Sequence, residues 1–107
     1  MDKALLSGST AMLLLKLLEE QDMYGYQMIE TLARRSDHTF DLKAGTLYPL
    51  LHTLEERGDI EAYLEGEGST RPRRYYRITQ EGLRVLEEKT EEWRLYAHAV
   101  SAVLAGG

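Results

Sequence analysis

Four arginines, Arg71, Arg73, Arg74 and Arg77, fall between Gly68 and Gln80, a stretch without an acidic residue. Guanidinium groups gathered in this way suit charge-assisted hydrogen bonds to phosphate. A second acid-free run, Lys43-Ala44-Gly45-Thr46-Leu47-Tyr48-Pro49, combines one ammonium with small and hydroxyl-bearing residues. The remainder is acidic, with clusters at Glu19-Glu20-Asp22, from Glu55 to Glu67 and from Glu87 to Glu92, and the formal net charge is −5. Attraction to a polyanion follows the distribution of charge rather than its sum. A basic tip on an acidic body is therefore compatible with duplex DNA, although a merely solvated arginine hairpin would have the same composition.

Other chemistry finds little support. The chain has no cysteine, which excludes disulfides and thiolate metal sites. His38, His52 and His98 fit no metal-ligand spacing, so no metal is expected. The glycines form no phosphate-binding loop, no Ser, His and Asp set suggests catalysis, and no cofactor is implied. The longest apolar run, Met12 to Leu15, meets Lys16 and is far too short for a membrane span. Asp2 and Lys3 precede only two leucines, unlike a signal peptide, so the simplest expected compartment is the cytoplasm.

The elements that must carry these residues follow from periodicity. A first helix is expected within Lys3 to Gln21. Its apolar residues Leu5, Leu6, Met12, Leu13, Leu14, Leu15, Leu17 and Leu18 lie all round it, so it should be covered on every side, in part by a second subunit. Ser7-Gly8-Ser9-Thr10 reads either as a delayed cap or, preferably, as small residues inside a continuous helix. A second helix covers Gly25 to Arg35, with Tyr26, Ile29, Leu32 and Ala33 as its buried stripe. A third spans Ala44 to Arg57, with Leu47, Leu50, Leu51 and Leu54 inward and Gly58 as its stop. Pro49 would better suit a first helical position.

Ile60 to Leu64 and Arg74 to Ile78 alternate as two strands of a hairpin. Ile60, Ala62, Leu64, Tyr76 and Ile78 should face inward, with a turn-rich tip between the strands. Thr79 caps a last helix running to about Leu104. Leu83, Leu86, Thr90, Trp93, Ala97, Val100 and Leu104 repeat along it at alternating spacings of three and four, the seam of a coiled coil. Such a helix reaches about 37 Å, more than one small body can cover. It and the first helix are expected to form a homodimer interface through Leu5, Leu6, Met12, Leu83, Leu86, Trp93, Ala97, Val100 and Leu104.

Three helices followed by a two-stranded hairpin give the order of a winged helix-turn-helix. The expected fold is mostly α with a small β-hairpin wing (α+β), a single domain over residues 1–107. Residues 1–78 form the winged helix-turn-helix and 79–107 a C-terminal dimerisation helix. In that arrangement the third helix enters the major groove by its N-terminal end. Lys43, Ala44, Gly45, Thr46, Tyr48 and Pro49 would then face double-stranded DNA, and Arg71, Arg73 and Arg74 would reach phosphates or a minor groove from the wing. The competing reading makes Gly45 and Pro49 turn-shaping residues and Tyr48 a lid on the core.

These residues resemble the PadR-like transcriptional regulators over nearly the whole chain. The likeness rests on Tyr24-Gly25-Tyr26, on Gly45-Thr46-Leu47-Tyr48-Pro49 with Leu50-Leu51 and Leu54-Glu55 to Gly58, and on Arg73-Arg74-Tyr75-Tyr76 with Thr79 and Gly82. The single-helix C-terminus is similar to the compact subgroup. The resemblance implies a sequence-specific DNA-binding homodimer whose first and last helices interlock. It also implies repression, relieved in some members by a small molecule. It favours the earlier start of the third helix, with a loosened first turn around Pro49. Some compact members pair tryptophans across the dimer axis around a pocket for flat aromatic compounds, a part that Trp93, with Tyr96 nearby, would play here. Plain interface packing of Trp93 is the alternative. The rival function is a winged-helix protein-interaction module without DNA binding, which the acidic net charge favours and the arginine wing opposes.

Overall fold

A computed structural model describes residues 3–66, 68 and 71–106, with side chains from residue 9 onward. Helix α1 (Lys3–Glu20) leads into a two-residue strand β1 (Met23–Tyr24) and helix α2 (Gly25–Arg35). After a connection comes α3 (Ala44–Glu56), then the hairpin β2 (Ile60–Glu65) and β3 (Arg73–Ile78), then α4 (Gln80–Leu104). The three strands form one antiparallel sheet in the order β1-β3-β2. The α+β winged-helix arrangement expected from the sequence is the one observed.

α1 is the central beam. It runs unbroken through the Ser-Gly-Ser-Thr segment, and Thr10 is buried. Leu14, Leu15, Leu17 and Leu18 are buried by α2, α4 and β3 of the same subunit. Over the described side chains the leucines of this helix are thus largely covered within the subunit, while Ala11, Met12 and Leu13 keep part of their surface open. Leu5 and Leu6 lie outside the residues whose side chains are described.

In α2 the expected stripe is corrected at its first position. Met28, Leu32 and Ala33 are buried and Ile29 is partly so, whereas Tyr26 is 64% exposed. It stands in the first helical turn, beyond the edge of the core. In α3 the leucines behave as expected: Leu47, Leu51 and Leu54 are buried and Leu50 is half-buried. The helix continues across Pro49, which deprives the Gly45 carbonyl of its usual amide partner. The first turn is tight rather than loosened, because the amides of Thr46 and Leu47 both donate to the Lys43 carbonyl, at 3.0 and 2.9 Å.

The junctions are fixed by small residues. Gly58, at φ +80°, takes the left-handed conformation that ends α3 and turns the chain into β2. Cross-strand pairs Ile60–Ile78 and Ala62–Tyr76 bury the inner face of the hairpin. Leu64, expected inward, is exposed because the hairpin projects past the body there. Thr79 caps α4 as expected: its hydroxyl donates to the Gly58 carbonyl at 2.6 Å and accepts from the Gly82 amide at 3.0 Å. A Cβ at Gly82 would lie 2.1 Å from the Asp59 carbonyl oxygen, so only glycine lets α4 sit against the end of α3. Strand β1 went unforeseen, since two residues carry no alternation to read.

Candidate nucleic-acid interface

Lys43 is the N-cap of α3, in extended backbone, and Lys43, Ala44, Gly45, Thr46, Tyr48 and Pro49 are all exposed. The leucines of the opposite face anchor the helix in the core, so this acid-free face is turned outward. Nothing lies within 4 Å of where a Cβ on Gly45 would stand. The glycine is therefore not required by packing inside the subunit, and it leaves room for close approach from outside. Tyr48 is 46% exposed, and a Cβ at Gly25 would come within 2.4 Å of its hydroxyl oxygen. Gly25 thus gives the Tyr48 ring a seat at the start of α2. Tyr48 partly covers its own fold, as the lid reading held, while keeping an open face. Tyr26 stands one residue on from Gly25, exposed, at the start of the first helix of the helix-turn-helix. Its place at i−3 to Ile29 predicts a core position, and no periodic signal separates the two roles. Neither α2 nor α3 has a side-chain cap, so the N-terminal amides have no internal side-chain acceptor.

The wing carries Arg71, Arg73, Arg74 and Arg77 exposed on or beside β3. Their surroundings differ. The Arg73 guanidinium lies 4.5 Å from the centre of the Tyr24 ring. Arg77 donates to Glu61 at 3.1 Å, its cross-strand neighbour, and sits over Tyr63. Arg74 donates to Glu55 of α3 at 3.0 Å and lies over Tyr76. Arg74 and Arg77 are therefore each matched by a carboxylate distant in sequence, and the wing is less positive than its composition suggests. Behind them, Tyr24, Tyr75 and Tyr63 form a row across the three strands, with ring centres 5.4 and 5.8 Å apart. The Tyr63 hydroxyl donates to Asp22 at 2.6 Å, and this hydrogen bond to a carboxylate is the main reason its phenol is pushed up to about 12.

The residues expected at an interface between subunits lie elsewhere. Met12 and Leu83 are partly buried and, with Leu13, Thr90 and Trp93, line an open cleft of about 860 Å³ between α1 and α4. Leu86 is 5% exposed and belongs to the subunit's own core, so it has almost no surface left to offer a partner. Beyond it nothing on α4 is buried. Trp93 is 48% exposed, with the Tyr96 ring centre 6.0 Å away. Ala97 is half-buried, Val100 is exposed, and Leu104 is 81% exposed. No group of acidic and histidine side chains able to hold a metal occurs among the described residues. None of the described helices is long and apolar enough to cross a membrane.

Three comparisons bear on this geometry. Residues 14–88 match the model of the transcriptional regulator PadR-like family. Among solved structures, a transcriptional regulator from Clostridium thermocellum is 34% identical, with a TM-score of 0.87 over 94% of this chain and 97% of that one. A PadR family transcriptional regulator from Eggerthella lenta is 40% identical, with a TM-score of 0.82 over 94% and 86%. A PadR-like transcriptional regulator from Bacillus cereus is 28% identical, with a TM-score of 0.85 over 98% and 100%.

Proposed function

The chain belongs to the PadR-like family of transcriptional regulators, and on that footing we propose that it is a sequence-specific, homodimeric DNA-binding repressor. The observation that carries the proposal is the first turn of α3. It is outward-facing, acid-free and built from small or polar residues, and the leucines beneath it hold it rigidly. A recognition helix brings its N-terminal residues to base edges between two phosphate backbones, an approach that small or polar residues without net negative charge favour. Lys43 and Thr46 supply groups able to reach base edges, Gly45 permits close approach, and Ala44, Tyr48 and Pro49 complete the contact face. Arg71, Arg73 and Arg74 supply phosphate contacts from the wing. The test is fluorescence anisotropy with duplexes from upstream of its own gene against a scrambled duplex. Specific binding is expected. Equal or absent binding would instead support a protein-interaction module.

The dimer rests on the distal part of α4, where Trp93, Tyr96, Val100, Val103 and Leu104 expose an apolar face that a lone subunit leaves in water. The cleft bearing Trp93 also supports a site for a planar aromatic effector, with Trp93 and Tyr96 as its stacking surfaces. The single tryptophan makes the test direct: planar aromatic cations should quench its fluorescence, and Trp93→Ala should lose binding of the cation, read from the cation's own absorbance, while DNA affinity is kept. No quenching across such a panel would leave Trp93 as interface packing.

A further inference from the structure

Among the ion pairs of the described residues, Arg74–Glu55 is the one that ties the wing to α3. Arg77 is matched inside the hairpin by Glu61, and Glu56, beside Glu55, faces His52 along its own helix at 2.7 Å. The Arg74–Glu55 pair spans nineteen positions of sequence at 3.0 Å, and both side chains remain partly open to water. It is accessible enough to exchange partners and close enough to be occupied in the free protein.

We propose that Glu55 is a resident counter-anion for Arg74, holding the guanidinium until a DNA phosphate replaces it. The proposal rests on the DNA-binding reading above. Its consequence is ionic. An arginine that meets a phosphate displaces cations condensed on the duplex, which steepens the salt dependence of binding by about 0.9 per contact. Arg74 must first leave Glu55, and the bared carboxylate stays beside the duplex, where its negative charge offsets the phosphate that Arg74 neutralises. The pair brings almost no net charge to the duplex, so few condensed cations leave. Arg74 therefore adds little to binding wherever a phosphate merely drifts nearby. It contributes only where the duplex places a phosphate well enough to outcompete a carboxylate already in position. Glu55 thus tempers non-specific attraction in a wing that would otherwise hold DNA of any sequence.

The experiment is a double-mutant cycle in full-length protein, using wild type, Glu55→Gln, Arg74→Ala and the double variant. Affinity for a fluorescein-labelled duplex of unrelated sequence is measured across a salt series. Glu55→Gln is expected to tighten binding several-fold and to steepen the salt slope by about 0.9. Arg74→Ala should cost little in wild type and should abolish the gain in the Glu55→Gln background. Glu56→Gln, one position along the same helix, controls for simple loss of a negative charge, and its effect should persist without Arg74. Because both side chains are partly open to water, thermal melts should coincide. Equal cost of Arg74→Ala in wild type and in Glu55→Gln overturns the proposal while leaving DNA binding intact. Absence of binding by wild type to any duplex overturns the DNA-binding reading itself, and this inference with it.

Discussion

The first turn of α3 and the distal half of α4 are both exposed, yet their exposure has opposite physical meanings. In α3 the open face holds Lys43, Gly45, Thr46 and Pro49, while Leu47, Leu51 and Leu54 lock the other face into the core. Water satisfies such a surface, so its shape is kept whether or not anything binds. In α4, no residue after Leu86 is buried, and the open face holds Trp93, Tyr96, Val100, Val103 and Leu104. Water does not satisfy that surface, and burying it against a second copy is worth about 25 cal/mol per Å². The family match ends at residue 88, before any of these α4 side chains. Exposure alone does not identify a site; the polarity of what is exposed separates a surface that water satisfies from one that it does not.

The largest effect should come from charging the α4 face. Val100→Glu is expected to convert a species of about twice the 12.3 kDa subunit mass into one of 12.3 kDa in sedimentation, with DNA affinity falling by orders of magnitude. Wild type sedimenting at the subunit mass would erase the distinction between the two surfaces. Gly45→Ala should act in the reverse manner. With open space around the new methyl group and a better helix former in place, stability should rise by about 0.5–1 kcal/mol. Specific DNA binding should weaken in the same protein, and a variant that gains stability without losing affinity would remove Gly45 from the interface. Smaller still, Arg73→Ala should flatten the salt dependence by about 0.9 for every duplex. Thr46→Ala should instead alter sequence preference at constant slope, read from selection of bound sequences.

The smallest expected effect is a titration on the outer face of the wing sheet. The Tyr63 phenol, raised by its hydrogen bond to Asp22, should ionise at about 12, whereas unfolded chains ionise at their ordinary value near 10. A pKa raised on folding contributes stability that is whole below about 10 and lost as pH climbs from there through about 12. Following the Tyr63 ring carbon by NMR, with Asp22→Asn as reference, checks both the value and its cause.

Much of the framework was legible because its signals are local. The leucine spacing of α3, the capping threonine Thr79 and the stop at Gly58 each act within a few residues. What stayed hidden depends on distance in sequence. Strand β1 exists because Met23 and Tyr24 find Tyr76 and Tyr75 across the sheet, and two residues have no period of their own. Leu86 lies on the same heptad seam as Val100, but the first sits over its own core and the second beyond it. Tyr26 keeps helical register with Ile29 and yet stands outside the packed layer. The pairing of Arg74 with Glu55 joins residues on separate elements, so the arginine-rich wing reads as more cationic in sequence than in space.

The seat made by Gly82 against the Asp59 carbonyl, bound on its other side by Thr79, behaves mechanically as a welded joint. With no slack between α4 and the end of α3, the long helix is a lever whose short arm is the winged-helix body. Leu104 lies about 33 Å along the axis from Gly82, so a tilt of roughly 5° at the joint swings that end by about 3 Å. Read in the other direction, if two such levers cross in the proposed dimer, a displacement of a few ångströms there would become a rotation of each whole head. In the proposed dimer the separation of the two α3 helices would thereby be set at the far end of the molecule, and Gly82→Ala, by forcing the weld open, would disturb that spacing as well as the fold.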